Sequence, residues 1–148
     1  MRKQILFLCS GNYYRSRFAE ILFNRLAQQN NLEWRAESRG IVAQWSHNPG
    51  PIAQATLNGL AARNISHHPA RYPMQLTEND LTRAERIIAM YEREHRPMMQ
   101  TYFPQHENKI EFWHIPDLDE MHAEYALALM DRNVRTLTMD LQARVEMK

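Results

Sequence analysis

The chain has 148 residues, a formal net charge of +1, 44% hydrophobic residues and 24% charged residues, which predicts one ordinary globular domain over residues 1–148. No basic block interrupts this balance, so nucleic acid and anionic membranes are excluded as expected partners. The single cysteine cannot form an internal disulfide, and with no secretion signal or membrane-length apolar stretch we expect a cytoplasmic protein.

The start of the chain has the pattern of a strand, a helix and a second strand. Residues 5–9 form a short apolar run flanked by charge and by glycine, which is typical of a buried parallel strand. From Ser16 the apolar residues recur at helical spacing to about residue 30. Residues 32–36 predict the second strand.

The middle of the chain is rich in loop signals. Residues 38–51 contain two glycines and two prolines, which predicts a long loop, and Pro51 is suited to begin a helix. Residues 66–76 predict another loop. The polar sequence at residues 77–80 offers the cap of a short helix.

Two further strands are predicted at residues 86–90 and 110–113, and a long amphipathic helix at residues 121–145. Strands that alternate with helices predict a small α/β domain with a parallel sheet. Ligands of such sheets bind at the carboxyl ends of the strands, and Cys9 ends the first one.

The residues after Cys9 have the composition of an anion-binding loop. The N–H groups of loop 10–14 and the start of a helix at Arg15–Ser16 converge on one point, which favours an anion and a cysteine thiolate. Gly11 permits a tight loop, and Asn12 tolerates the left-handed conformation. Arg15 supplies a planar fork for two phosphate oxygens, and Ser16 is placed to donate to the thiolate. The alternative is a buried, inert cysteine.

This stretch resembles the signature of the low-molecular-weight protein tyrosine phosphatases, C-x5-R-S/T directly after the first strand. Further along, Ser38-Arg39-Gly40 resembles the family's Ser-x-Gly, and residues 68–71 resemble its H-x-A-R. Residues 115–117 resemble the stretch that leads to the family's Asp-Pro acid. The resemblance covers the whole chain and implies a phosphatase-I-like three-layer α/β domain, with a central four-stranded parallel sheet flanked by helices.

The resemblance implies hydrolysis of phosphomonoesters through a phosphocysteine, without metal or cofactor. The substrate would be a phosphorylated protein or a small phosphate ester, and inorganic phosphate a product. Cys9 would be the nucleophile, Arg15 would stabilise the transferred group, and Asn12, Ser38 and His68 would support the loop. The phosphate-binding residues would be Ser10, Gly11, Asn12, Tyr13, Tyr14, Arg15 and Ser16.

The general acid that the resemblance implies is Asp117, with Asp119 as the alternative. The family's acid is followed by proline, whereas Leu118 follows Asp117 here. A different interpretation makes Asp117 the cap of the last helix, with Glu120 completing a capping box. Because the residue after the acid differs from the family's proline, a second possible function is that of a pseudophosphatase, which binds phosphate or a phosphorylated partner without hydrolysis.

Other departures concern the pocket rim and the redox chemistry. Tyr13 and Trp45 are the candidate walls for a phosphotyrosine ring, but no aromatic pair follows the acid, so phosphoarginine or a small ester is an alternative substrate. Tyr14 replaces the second cysteine of many family members, and Arg17 replaces the usual proline.

Two other functions fit the residues less well. An arsenate reductase shares the resembled fold, but its disulfide relay needs two more cysteines, so this function would require an external thiol. A zinc protein built on the seven histidines fails on spacing, because the chain has no H-x3-H pair with a nearby carboxylate.

Overall fold

The structure is a computed structural model that describes residues 2–66 and 71–146. Its centre is a four-stranded sheet in the order β2-β1-β3-β4, and every neighbouring pair is parallel. The strands are β1 (Lys3–Cys9), β2 (Trp34–Gly40), β3 (Arg86–Ala89) and β4 (Ile110–Phe112).

Helices cover both faces of this sheet. Successive side chains of β1 point to opposite faces, so Phe7 packs in the cluster that holds Phe18 of the first helix, whereas Leu8 packs in the cluster that holds Leu81. Both faces of β1 are therefore buried, which explains its unbroken apolar sequence. The helices are α1 (Arg15–Gln29), α2 (Gln54–Ala61), α3 (Glu78–Arg83), α4 (Glu92–Tyr102) and α5 (Ala123–Glu146), with 3-10 turns at Ala43–Trp45 and Pro104–Lys109.

The three-layer α/β fold predicted from the sequence is confirmed, and so are most of its elements. Helix α1 begins at Arg15, as the anion-loop pattern predicts. Helix α3 begins after Thr77, whose hydroxyl accepts from the Asp80 N–H while the Asp80 carboxylate accepts from the Thr77 N–H. This reciprocal pair satisfies two backbone donors at the helix start.

The second strand was predicted too early in the chain. It runs over Trp34–Gly40, so Ser38 and Arg39 belong to the strand and not to the predicted loop 38–51. Polar residues are tolerated at this buried strand end because they have partners. The Arg39 guanidinium, for example, lies 3.3 Å from the Asp80 carboxylate.

Two helices also differ from prediction. Helix α2 begins at Gln54 rather than Pro51, since the Ala53 N–H donates to the Tyr13 carbonyl at 2.9 Å and holds the chain extended there. Helix α4 was not predicted at all. Pro97 lies inside it and lacks the N–H of a helix interior, so the sequence pattern argued against a helix. None of the helices within residues 2–66 and 71–146 is long and apolar enough to span a membrane.

Candidate active site

The candidate site lies at the carboxyl end of β1. Cys9 is the last residue of this strand and is buried. Its Sγ lies 2.9 Å from the hydroxyl of Ser16, which itself accepts a hydrogen bond from the Asn12 amide. Either group can donate while Cys9 is a thiol, whereas only the Ser16 hydroxyl can donate once Cys9 is a thiolate. Ser16 is therefore placed to stabilise a thiolate at Cys9.

Asn12 holds the loop in shape through both ends of its side chain. Its φ of 53° lies in the left-handed region, which asparagine tolerates better than most residues. Its Nδ2 donates to Ser16 and to Ser38, both at 2.9 Å. Its Oδ1 accepts from the Arg71 guanidinium at 2.9 Å and from the Met74 N–H at 3.0 Å. The amide is buried, and these four bonds fix its orientation.

Ser38, a residue predicted to support the loop, connects Asn12 to Glu20 of helix α1. Its hydroxyl donates to Glu20 at 2.5 Å and accepts from Arg71 at 3.0 Å. The Arg71 guanidinium also lies 3.2 Å from the Glu20 carboxylate. His68, the other predicted supporting residue, lies outside the described residues.

Close backbone approach explains a glycine at the end of β2. A Cβ at Gly40 would lie 2.8 Å from the backbone N of Asn12 and 2.8 Å from the backbone O of Ser10. Any side chain there would push on the loop backbone, which has no flexible end that could move aside. Glycine at this position lets the loop that follows Cys9 pack against the end of the neighbouring strand.

Arg15 is held by three groups around the pocket. Its Nη1 donates to the Ile115 carbonyl at 3.0 Å, and its Nη2 donates to the Glu94 carboxylate at 3.0 Å. The same Nη2 lies 3.5 Å from the Asp117 carboxylate. Burial opposes ionisation of Arg15, but the charges of Cys9, Glu94 and Asp117 outweigh it and raise the pKa of the guanidinium above its ordinary value.

Glu94 and His95 of helix α4 complete the site, and neither was predicted from the sequence. The Ser10 hydroxyl donates to the Glu94 carboxylate. His95 Nδ1 accepts from the Tyr91 N–H at 3.0 Å, so the ring proton is on Nε2, which lies 3.1 Å from the Ser10 hydroxyl. The hydrogen bonds therefore form a chain: the backbone N–H at the helix start donates to His95, His95 donates to Ser10, and Ser10 donates to Glu94.

Burial and charge hold both groups in one protonation state. Burial lowers the pKa of His95 below its ordinary value, so the ring stays neutral. Burial of Glu94 opposes ionisation, but hydrogen bonds from His95 and Arg15 outweigh it and hold its pKa well below the usual range. One signal could have found these residues, namely their position directly after β3, since neighbouring parallel strands end at the same edge of the sheet.

Asp117, the predicted acid, starts a turn rather than a helix. Its carboxylate accepts from the Leu118 N–H at 2.8 Å, and its carbonyl accepts from the Glu120 N–H at 3.0 Å. Helix α5 begins only at Ala123, so the alternative in which Asp117 caps this helix is wrong. The carboxylate is half-exposed and faces Arg15.

A pocket of about 280 Å³ brings the predicted reactive residues together. Tyr13 forms part of its wall, held by a 2.6 Å hydrogen bond from its hydroxyl to the Pro49 carbonyl. The lining residues are Cys9, Gly11, Tyr13, Tyr14, Arg15, Asn48, Ala53, Asp117, Leu118 and Asp119.

Trp45, the second predicted wall, is not among the described residues that line this pocket. It lies in an exposed 3-10 turn, and its ring packs against Tyr102 at 5.2 Å between centroids. Tyr102 belongs to helix α4, which was not predicted from the sequence. Leu118, which was not predicted as a wall, lines the pocket.

Comparison with known sequences identifies the group of proteins that share this arrangement. The family described as low molecular weight phosphotyrosine protein phosphatase matches residues 4–143. The chain belongs to this family. It is therefore a cysteine-dependent phosphatase, and its one cysteine lies at the end of β1, directly before the loop that leads to Arg15.

Individual relatives of this phosphatase are distant in sequence. It is 28% identical over 106 residues to the protein-arginine-phosphatase of Bacillus subtilis (strain 168), which is 72% of this chain and 67% of that protein. The crystal structure of YfkJ from Bacillus subtilis matches at a TM-score of 0.81 and 24% identity over 97% of both chains. Wzb of Vibrio vulnificus, solved with benzylphosphonate, matches at 0.78 and 20% over 95% of this chain and 99% of that one. The two structures confirm the fold.

Proposed function

We propose that this phosphatase removes phosphoryl groups from phosphorylated protein side chains in two steps, without a metal or a cofactor. One observation carries the proposal: Cys9, Arg15 and Asp117 line a single pocket. A nucleophile, a group that binds phosphate and a general acid could therefore act on one substrate. Inorganic phosphate is the product of the second step.

In the first step the Cys9 thiolate attacks phosphorus, and a sulfur–phosphorus bond forms as the bond to the leaving oxygen breaks. Arg15 and the N–H groups of the loop hold the remaining phosphoryl oxygens. Asp117 transfers its proton to the leaving oxygen. The 2.9 Å contact from Ser16 to the Cys9 sulfur supports the thiolate that begins this step.

In the second step water attacks the phosphocysteine. The Asp117 carboxylate, left unprotonated by the first step, accepts a proton from the water, and the thiolate of Cys9 departs. The Asp117 carboxylate lies 3.5 Å from Arg15, which supports its action on the phosphoryl group that Arg15 would hold. The leaving group and the attacking water thus use the same side of the site.

Phosphotyrosine is the substrate that the pocket favours. Tyr13 and Leu118 line it together with Cys9, and both side chains offer apolar surface to an aromatic leaving group. The sulfur is recessed, since Cys9 is only 3% exposed, so a long side chain is needed to bring phosphorus to it.

Phosphoarginine is a second candidate, favoured by two observations. The chain is similar to a protein-arginine-phosphatase, and Asp119 lines the pocket beside Asp117. A second carboxylate at this place is suited to the guanidinium that a phosphoarginine carries.

The test is hydrolysis of para-nitrophenyl phosphate, and of two peptides of one sequence that carry phosphotyrosine or phosphoarginine, in the presence of a chelator. We expect turnover by the native protein, none by Cys9→Ser, and the higher kcat/KM on phosphotyrosine. Higher kcat/KM on phosphoarginine would select the second candidate. Phosphate binding without turnover would instead indicate a pseudophosphatase, and arsenate reduction with an added thiol would indicate a reductase.

A further inference from the structure

The hydroxyl of Tyr14 is buried without a hydrogen-bond partner. The side chain is only 5% exposed, and within residues 2–66 and 71–146 nothing accepts from or donates to its Oη. Leaving a hydroxyl in this state costs free energy, and nearly all buried polar groups in proteins have a partner. Such a group indicates a partner that binds at this place.

The ring cannot turn out to water, because both the backbone and the side chain are held. The Tyr14 carbonyl accepts from the Thr56 hydroxyl at 2.9 Å and from the Phe18 N–H at 3.1 Å. The side chain packs in the larger apolar cluster of the core. Tyr14 therefore keeps its place at the start of helix α1.

That place is the wall of the reaction pocket. Tyr14 lines it together with Cys9, Arg15 and Asp117. Tyr13 lines it as well, but its hydroxyl already donates to the Pro49 carbonyl at 2.6 Å. Of these two tyrosines, Tyr14 is thus the one whose hydroxyl donates to no described residue.

The Tyr14 hydroxyl is a donor at every working pH. Burial, with a smaller contribution from the Asp117 charge, raises the pKa of Tyr14 to about 12. The phenol therefore stays protonated, and an anion is its natural acceptor, since hydrogen bonds to charged groups are the strong ones.

We propose that Tyr14 is a further substrate-binding residue, whose hydroxyl donates a hydrogen bond to the phosphoryl group held between Cys9 and Arg15. This inference rests on the proposed function for the site, and it assigns to the phenol a task beyond the loop N–H groups and the guanidinium. It also explains why a polar group is kept in the core cluster at this position.

The experiment compares inorganic phosphate binding by calorimetry in the native protein and in Tyr14→Phe, which removes one oxygen and keeps the ring. A hydrogen bond to a charged group predicts a Kd for phosphate about ten- to a hundred-fold higher in the variant. In phosphate-free buffer the variant should unfold at the same or a higher temperature, because an unpaired buried hydroxyl has been removed. The matched control is Tyr125→Phe on α5, since Tyr125 is exposed.

Two results would overturn the inference. One is a phosphate Kd in Tyr14→Phe within two-fold of the native value. The other is a lower unfolding temperature without phosphate, which would make the hydroxyl a structural group. The titration needs no turnover, so a native protein that binds phosphate but does not hydrolyse esters refutes the proposed function alone. A native protein that binds no phosphate refutes both.

Discussion

The Glu94 carboxylate lies 3.0 Å from Nη2 of Arg15, and the two residues belong to helices that follow neighbouring strands of the sheet. Arg15 opens α1 after β1, and Glu94 lies in the first turn of α4 after β3. The carboxylate and the Ile115 carbonyl take one N–H from each end of the guanidinium fork. The remaining N–H groups are left for the oxygens of a bound phosphoryl group.

Glu94→Gln should therefore lower kcat for para-nitrophenyl phosphate by about ten- to a hundred-fold, since a small displacement of a positioning group has effects of that size. Inhibition by vanadate should weaken in the same variant. The matched control is Glu92→Gln, on the same helix. The Glu92 carboxylate lies 2.8 Å from the Arg96 guanidinium, and Glu92 is not among the described residues that line the pocket. Tighter phosphate binding by Glu94→Gln would show that Glu94 competes with substrate.

Asp117→Asn should lower kcat more than Asp119→Asn, because Asp117 faces Arg15 at 3.5 Å. General acid help is typically worth about 10²–10⁴-fold. The loss should be larger for phenyl phosphate than for para-nitrophenyl phosphate, since the poorer leaving group needs the proton more. Kinetics on both esters check this, and equal losses on the two would assign Asp117 a role other than the acid.

The buried His95 should make the protein less stable as the pH falls below about 6.5, the ordinary pKa of histidine. Its folded pKa is lowered by burial, so in this range the unfolded chain binds a proton that the folded chain does not. The contribution is fully present above about pH 6.5 and is lost on acidification, by about 1.4 kcal/mol per pH unit until the folded pKa is reached.

Urea unfolding of the native protein and of His95→Gln between pH 7.5 and about 5 measures this slope. The variant should show the shallower dependence by roughly one proton. Glu94 adds a separate loss further down, below its ordinary pKa of 4.5, because its folded pKa is lowered. Identical slopes for the two proteins between pH 6.5 and 5 would contradict a neutral His95.

Arg17 should be required for stability, although it replaces a proline that the resembled family usually has. Its side chain is 1% exposed, and it donates to the carbonyls of Pro51 at 2.9 Å and Arg71 at 2.8 Å. Arg17→Lys loses the planar fork that reaches both, so the free energy of unfolding should fall by about 1–3 kcal/mol. Arg132→Lys, on the exposed side of α5, is the control, and denaturant unfolding is the measurement.

Local signals in the sequence were sufficient for the first strand and the loop after it. An apolar run followed by a glycine, an asparagine and an arginine constrains its own conformation, and Asn12 takes the left-handed backbone that its residue type tolerates. The order of strands and helices likewise predicted a parallel sheet, because each connection is long enough for a crossover helix. The resemblance to a known family rests on this loop and on short motifs at residues 38–40, 68–71 and 115–117.

Contacts between segments that are distant in the chain could not be predicted from such local signals. Helix α4, which supplies Glu94 and His95, carries Pro97 in its interior, and this weakens the local signal for a helix. Its Met99 is buried in the cluster that holds Leu8 and Ile87 of the sheet, a contact that the sequence pattern does not reveal. Position in the chain predicts Trp45 as a pocket wall, whereas its ring packs on Tyr102 and it is not among the described residues that line the pocket.

There is a physical reason why the sequence predicted some features of the site and not others. Backbone conformation and apolar periodicity depend on neighbours a few residues away, and these specify the strand, the loop and the cysteine that ends the strand. The partners of Arg15 lie 79 and 100 residues further along, and the Tyr14 hydroxyl has no partner among the described residues. Which side chains meet at such distances is settled when the layers pack, because packing brings the ends of several strands to one edge of the sheet.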